Sequence, residues 1–224
     1  MNTSDRKACL SLLQADGFTD FMDGPEVAAC LTTAREAGIA TVEAWGGMAG
    51  AERRFLFDRQ RVSAPQVCST VRFEPEVDIA AVRTLLAAYG VTEAQIGDVQ
   101  RVGGTLEAQV RLGREEALAP VQDDRIVAVD PCAQPVWKTV QRIAASMRTD
   151  ALGAAAFNAS RSWFSKGIAG GNVFIDGRQA GKASPVEVGS EIFARGLGRA
   201  RLVEVGGQTK RGRTHVTFEL ESSG

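Results

Sequence analysis

Residues 170–177 constrain this chain more tightly than any other stretch. Gly170-Gly171 interrupts a helical pattern, residues 172–175 are rich in strand formers, and Asp176-Gly177 follows at once. Asp-Gly between strand residues predicts a two-residue hairpin, because both turn positions need positive φ. Just upstream, Asn158-Ala159-Ser160 breaks one helix, and Ser160 is placed to cap another that reaches about Ile168. The helix before the break runs through Phe157 and is rich in alanine, with Thr149 or Asp150 as its cap. Residues 186–192 read as a second turn between extended segments, and residues 214–220 as a strand. Two short, closely packed helices followed by small hairpins are the expectation for the last third of the chain.

Charge divides the chain at about the same place. Residues 138–224 carry 13 Lys/Arg against 7 Asp/Glu, whereas residues 1–137 carry 13 against 20, although the whole chain is nearly neutral at −1. A basic part within an acidic whole points towards nucleic acid, because one face can neutralise phosphates while the rest repels them. The helix after Ser160 gives that charge a face. On a helical wheel, Arg161, Ser162, Ser165 and Lys166 fall within one arc of about 140°, with Trp163, Phe164 and Ile168 on the other side. Trp163 and Phe164 are therefore expected in the core. An ordinary solvated face would have the same composition.

Upstream, residues 6–14 form a helix that stops near Asp16-Gly17. Asp23-Gly24-Pro25-Glu26 starts a second, with Val27, Cys30 and Leu31 at helical spacing and Gly38 at its end. Residues 39–45 and 54–57 read as strands around a Gly46-Gly47 turn, completing an N-terminal α/β module over 1–63. From Ala64-Pro65 the order becomes strand (67–73), helix (78–88, with Ile79, Val82, Leu85 and Leu86 on one face), strands (99–102 and 106–112), short helix (115–119) and strand (126–129). That β-α-β-β-α-β order predicts a ferredoxin-like, RRM-like module over 64–131. Residues 130–135 punctuate, and residues 136–146 read as an extended connector or hairpin into a third module over 146–224. The fold class is α+β.

Several function classes find no footing. Cys9, Cys30, Cys68 and Cys132 lie far apart in the sequence without a Cys-x-x-Cys pair, and the chain has one histidine, so no zinc site is expected. Reduced, buried thiols are the plain reading. Helix capping explains Asp23 better than a carboxylate pair with Asp20 does, and His215 lacks a committed partner. Gly46-Gly47 and Gly103-Gly104 lack the Gly-Lys-Ser/Thr ending of a phosphate loop. No catalytic residue, cofactor or metal is assigned. No apolar run approaches the roughly 20 residues needed to cross a bilayer, and the first residues lack the apolar core of a signal peptide. The expectation is a cytoplasmic monomer away from the membrane.

Arg148-x-Asp150, Ser160-Arg161, Lys166-Gly167-Ile168, Gly171-Asn172-Val173-Phe174-Ile175-Asp176-Gly177 and Val188-Gly189-Ser190-Glu191-Ile192 resemble, in that order, the RNA-binding domain named after ribosomal protein S-four, the αL motif. Thr149 departs from that pattern, where the family prefers an apolar residue, and so does Ser190, where it has Gly-Asp. Arg195-Gly196-Leu197-Gly198-Arg199 and residues 206–213 are similar to the C-terminal extension of YlmH-type proteins. Their N-terminal pattern is resembled by residues 18–23, Trp45-Gly46-Gly47, Ala51-Glu52-Arg53-Arg54 and Ile96-Gly97-Asp98. The resemblance implies a factor of bacterial ribosome-associated quality control that binds ribosomal RNA and tRNA on a large ribosomal subunit carrying peptidyl-tRNA, without catalysis of its own. The family is also linked to cell division and photosystem assembly.

Chemistry and resemblance together nominate Arg148, Ser160, Arg161, Ser162, Ser165, Lys166, Asn172, Arg195, Arg199, Lys210, Arg211 and Arg213 as RNA contacts. Guanidinium forks grip phosphates, hydroxyls and amides bond sugar or phosphate, and glycine lets backbones approach. Lys210, Arg211 and Arg213 are expected at a hairpin tip, and Glu52-Arg53-Arg54 as either a second RNA contact or an internal ion pair. Two other functions stay open: an RNA-modifying enzyme of the pseudouridine synthase or methyltransferase type with its catalytic domain in residues 1–130, and a protein-interaction adaptor whose acidic part binds a protein.

Overall fold

Cap and turn residues mark the ends of several elements of this chain. The computed structural model describes residues 3–112, 123–181 and 184–223, a mixed α+β fold that divides into two compact units, Met1–Pro135 and Val136–Ser223.

In the first unit, α1 (Thr3–Ala15) stops at Gly17, which takes φ +85°. The second helix, α2 (Gly24–Glu36), starts from a reciprocal box: Glu26 N–H donates to Asp23 Oδ1 at 3.0 Å and Asp23 N–H to Glu26 Oε2 at 3.1 Å. Pro25 occupies the first turn, where its missing N–H costs nothing. Cys9, Leu13, Val27, Cys30 and Ala34 bury together with Leu56. Strand β1 (Val42–Trp45) starts later than the pattern suggests and pairs antiparallel with β2 (Phe55–Asp58). The indole of Trp45 is fully buried and donates to the Ala133 carbonyl at 2.8 Å, which satisfies its one polar group.

Residues 64–67 form one helical turn, α3 (Ala64–Val67), before β3 (Cys68–Phe73). Then come α4 (Ile79–Ala88), β4 (Ile96–Val102), β5 (Thr105–Arg111) and β6 (Ile126–Pro131) in an antiparallel sheet of order β4-β5-β3-β6. Val82, Leu85 and Leu86 of α4 cluster with Val71, Phe73, Leu106 and Val110, whereas Ile79, assigned to the same face from sequence, is 52% exposed. The expected helix over 115–119 lies outside the described residues. The two expected modules, 1–63 and 64–131, share one buried cluster, in which Phe18, Phe21, Trp45 and Phe55 pack with Val67, Cys68 and Cys132. All four cysteines are buried.

The second unit is a six-stranded sheet of order β7-β12-β11-β10-β8-β9 with two helices. Its first strand, β7 (Pro135–Ala144), covers most of the stretch read as a connector; it lies at the sheet edge beside β12 (Thr214–Ser223), so this unit opens at Val136. Helices α5 (Thr149–Ala156) and α6 (Arg161–Ala169) follow, then β8 (Val173–Ile175), β9 (Arg178–Gln179), β10 (Glu191–Ala194) and β11 (Gly198–Gln208). The β8–β9 turn takes the expected form, with Asp176 at φ 49° and Gly177 at φ 74°. Leu152, Ala156, Phe164 and Ile168 of the helices cluster with Val173, Ile192, Ala200, Leu202, Val216 and Phe218. No helix among the described residues is long and apolar enough to cross a membrane.

The two helices touch through a glycine. A Cβ at Gly153 of α5 would come within 2.0 Å of the Phe164 ring of α6, which also stacks on Phe157 with centroids 6.0 Å apart. Gly153→Ala adds up to about 1 kcal/mol of helix propensity, but the clash is with a fully buried ring and overpacking costs about 1–3 kcal/mol. The variant is expected to lower the denaturant midpoint of the C-terminal unit; an unchanged or raised midpoint would mean that the helices separate freely.

Candidate nucleic-acid interface

The basic face expected on α6 is built around a carboxylate. Asp150, in the first turn of α5, is 7% exposed and accepts hydrogen bonds from Arg161 Nε at 2.8 Å, Arg148 Nε at 3.2 Å and Ser165 Oγ at 3.3 Å. Its carboxyl is pulled down to about 2, chiefly by the Arg161 hydrogen bond and secondarily by Arg148, against the opposing effect of burial. Each arginine spends its Nε on Asp150, while the side chains of Arg148 and Arg161 stay 57% and 50% exposed. Their terminal nitrogens have no hydrogen-bond partner among the described residues. Asp150 is thus neither the cap of α5 nor a surface acid. Arg148 holds the cap position without a side-chain hydrogen bond, and Thr149 turns away to donate to the Ser184 carbonyl at 2.8 Å.

Ser160 caps α6 as expected, accepting from Trp163 N–H at 3.1 Å, and its hydroxyl lies 3.2 Å from that of Ser162. Ser162 and Lys166 are exposed on the same helix. Backbone hydrogen bonds tie the helix end to the next turns. Asn172 N–H donates to the Gly167 carbonyl at 2.9 Å, and the Asn172 carbonyl accepts from Arg195 N–H at 3.0 Å. The β10–β11 turn, with Gly196 and Gly198 at positive φ, is thereby held beside the C-terminal end of α6. Arg195 is exposed and lies over the Phe174 ring at 5.3 Å. Side-chain hydrogen bonds join Arg148, Arg161 and Ser165 through Asp150 and bring the Ser160 and Ser162 hydroxyls together. Lys166 is exposed on the same helix, while Asn172 and Arg195 are tied to its end through backbone alone. Trp163 departs from expectation: Phe164 is fully buried, whereas Trp163 is 42% exposed.

Arg199 stands apart from this face. It is 2% exposed, pairs with Glu191 and Glu221 at 3.3 Å each, and lies 4.3 Å from the centre of the Phe193 ring. No ligand can reach a guanidinium so enclosed. It belongs instead to a row of arginines over aromatic rings on one side of the sheet, with Arg195 over Phe174 and Arg201 over Trp137 at 4.5 Å. Lys210, Arg211 and Arg213 are exposed at the β11–β12 turn, which closes through Thr209 N–H to the Arg213 carbonyl at 2.7 Å and Gly212 at φ 70°. Eleven residues of β11 at about 3.3 Å each put this tip roughly 30 Å from the Arg195 turn, so it forms a separate basic group.

The candidates of the first unit are used internally. Arg53 donates to the backbone carbonyls of Phe21, Glu93 and Ile96 and Arg54 is 4% exposed, so both arginines are engaged within the fold, whereas Glu52 is exposed. Asp20 accepts from Arg111 Nε at 2.6 Å while Asp23 caps α2, so the two acids serve different structures. His215 lies exposed on β12. Gly103-Gly104 is simply the β4–β5 turn, with φ values of +57° and +94°. Among the described residues no group of three or more His, Cys, Asp or Glu is placed to hold a metal.

Two outcomes follow from these placements. Asp150 takes its proton at about 2 in the folded chain and near 3.9 when unfolded, so its contribution is present above about pH 4 and disappears as pH falls towards 2. Unfolding measured across that window should show the wild type losing stability there and Asp150→Asn, already weaker at neutral pH, lacking that increment. Equal pH profiles would contradict the cluster. Arg199→Ala leaves Glu221, whose side chain is 1% exposed, without a buried counter-charge, a loss of about 3–5 kcal/mol. Thermal melting should report a large drop; a melt like that of the wild type would return Arg199 to the surface.

Comparison with protein-family models gives no match to this chain, and comparison with curated proteins gives none either.

Proposed function

We propose that the second unit is an RNA-binding module of the S-four type and that the chain acts by gripping structured RNA, with no catalysis of its own. One observation carries this reading: a buried carboxylate holds two half-exposed arginines side by side, with Lys166 exposed on the same helix as one of them. Arginines fixed through Nε keep their terminal N–H groups directed outward, the geometry for bidentate contact with phosphate. Two short helices, an Asp-Gly hairpin and a glycine-rich turn recur here in the order of the S-four motif. In the first unit, the order β4-β5-β3-β6 with α4 on one side supports a ferredoxin-like reading of the middle segment.

A-form RNA hides its base edges in a deep, narrow groove, so this face reads backbone and shape. Its targets on this proposal are ribosomal RNA and tRNA on large ribosomal subunits that carry peptidyl-tRNA, in the cytoplasm, with the protein acting as a monomer. The resemblance of the motifs supplies that setting, and the geometry supplies the grip.

The test is Arg161→Ala with Lys166→Ala, both on exposed positions. Each phosphate contact adds about 0.7–0.9 to the slope of log affinity against log salt, so the double variant should bind ribosomal RNA more weakly with a slope lower by about 1.5. In lysate, the wild type should sediment with large subunits and leave them at high salt, and the variant should stay behind. Unchanged affinity and sedimentation would refute the RNA face.

A further inference from the structure

We infer that Trp163 is a stacking platform for an unpaired nucleobase at the margin of the basic face, an inference that rests on the RNA-binding reading above. Trp163 is 42% exposed on a helix whose buried stripe is Phe164 and Ile168, at 0% and 5%. Around the wheel it lies about 60° from Lys166, so the ring borders the cationic arc. Helix neighbours three and four residues away normally cover such a ring. Here the residue four positions on is Gly167, where even a Cβ would come no closer than 3.9 Å to the indole. The residue three positions on is exposed Lys166, whose ammonium can hold the phosphate of the nucleotide that stacks.

One contact fixes the backbone beneath the ring and one meets the ring itself. Ser160 Oγ accepts the Trp163 backbone N–H at 3.1 Å, and the Phe164 ring supports the indole at a centroid distance of 5.7 Å and 56°. Exposed and edged with positive charge, the ring suits a flat π-system carried by an anionic chain. Paired bases of an A-form stem cannot reach it, so the occupant must come from a bulge, loop or end. The class of ligand thereby narrows from structured RNA to a stem bearing an unpaired base beside the gripped backbone.

The experiment uses the full chain with two RNA hairpins, one fully paired and one carrying a single bulged adenosine. Wild type should prefer the bulged hairpin, and its fluorescence should be quenched on binding. Trp163→Ala should weaken binding to the bulged hairpin about tenfold, leave the paired hairpin unaffected and keep the salt slope, because the ring carries no charge. Trp163→Phe should retain most of the preference. No preference in the wild type, or Trp163→Ala binding the bulged hairpin like wild type, would overturn the platform. It would be overturned equally by a loss of the same size on both hairpins, which would mark a structural role or a surface for a protein. If the bulge preference fails while Arg161→Ala with Lys166→Ala still weakens binding, only the platform falls; if that pair is also silent, the RNA reading falls with it.

Discussion

A carboxylate removed from water must be paired or neutralised, and in the second unit that requirement shapes the surface. Asp150 is placed in the first turn of α5, where the helix dipole favours its charge, and it draws Arg161 and Ser165 from α6 and Arg148 from the cap position of α5. The site lies over the junction where Gly153 lets Phe164 close against α5. Packing below and ion pairing above therefore fix the same helix pair. On the proposed function, the consequence for binding is entropic. Long arginine side chains lose rotamer freedom when they grip a ligand, and here part of that loss is already met within the folded chain. One negative charge against two positive ones still leaves the patch cationic, before Lys166 is added.

Arg199 shows how little residue type decides without its surroundings. It sits in the same glycine-flanked turn as Arg195, yet one is exposed and the other is 2% exposed. Strand pairing makes the difference. Arg199 lies opposite Phe193 and Arg201 opposite Glu191 and Glu219, so strand alternation sends both side chains to one side of the sheet. Guanidinium groups lie there over Phe174, Phe193 and Trp137, with Glu191, Glu219 and Glu221 as counter-charges. Arginine stems cover apolar rings while their heads remain charged and paired.

Local chemistry was the legible part of the sequence. The Asp23 box, the Ser160 cap and the Asp176-Gly177 turn each depend on residues within a few positions of one another, and each forms as the spacing implies. Distant partners were hidden. The 136–146 stretch alternates too weakly to be distinguished from a connector, and its partner strand lies at the far end of the chain. Trp163 was hidden for a different reason. A wheel orders residues around a helix but cannot tell how wide the buried stripe is, and two short helices bury only the narrow arc of Phe164 and Ile168. Asp150 was visible as a motif residue; its two-arginine grip was not, because Arg161 lies across a helix break.

The two basic groups of the second unit differ in what they can contribute to a grip. Roughly 30 Å of strand separates the Arg195 turn from the Lys210–Arg213 tip, several times the Debye length of about 8–10 Å. Neither group feels the other's charge in solution, so neither shifts the other's attraction for phosphate. Their relation is mechanical. Along β11 the register with β12 shifts between Leu202 and Glu204 and again between Val205 and Gln208, and such irregularities bend and twist a ribbon. On the proposed function, the angle set by those two shifts decides which folded RNAs can meet both groups at once. A module that contacts chiefly backbone can then still select its target: the clamp near Asp150 supplies a place to hold, and the ribbon supplies a fixed distance and direction to the second strand.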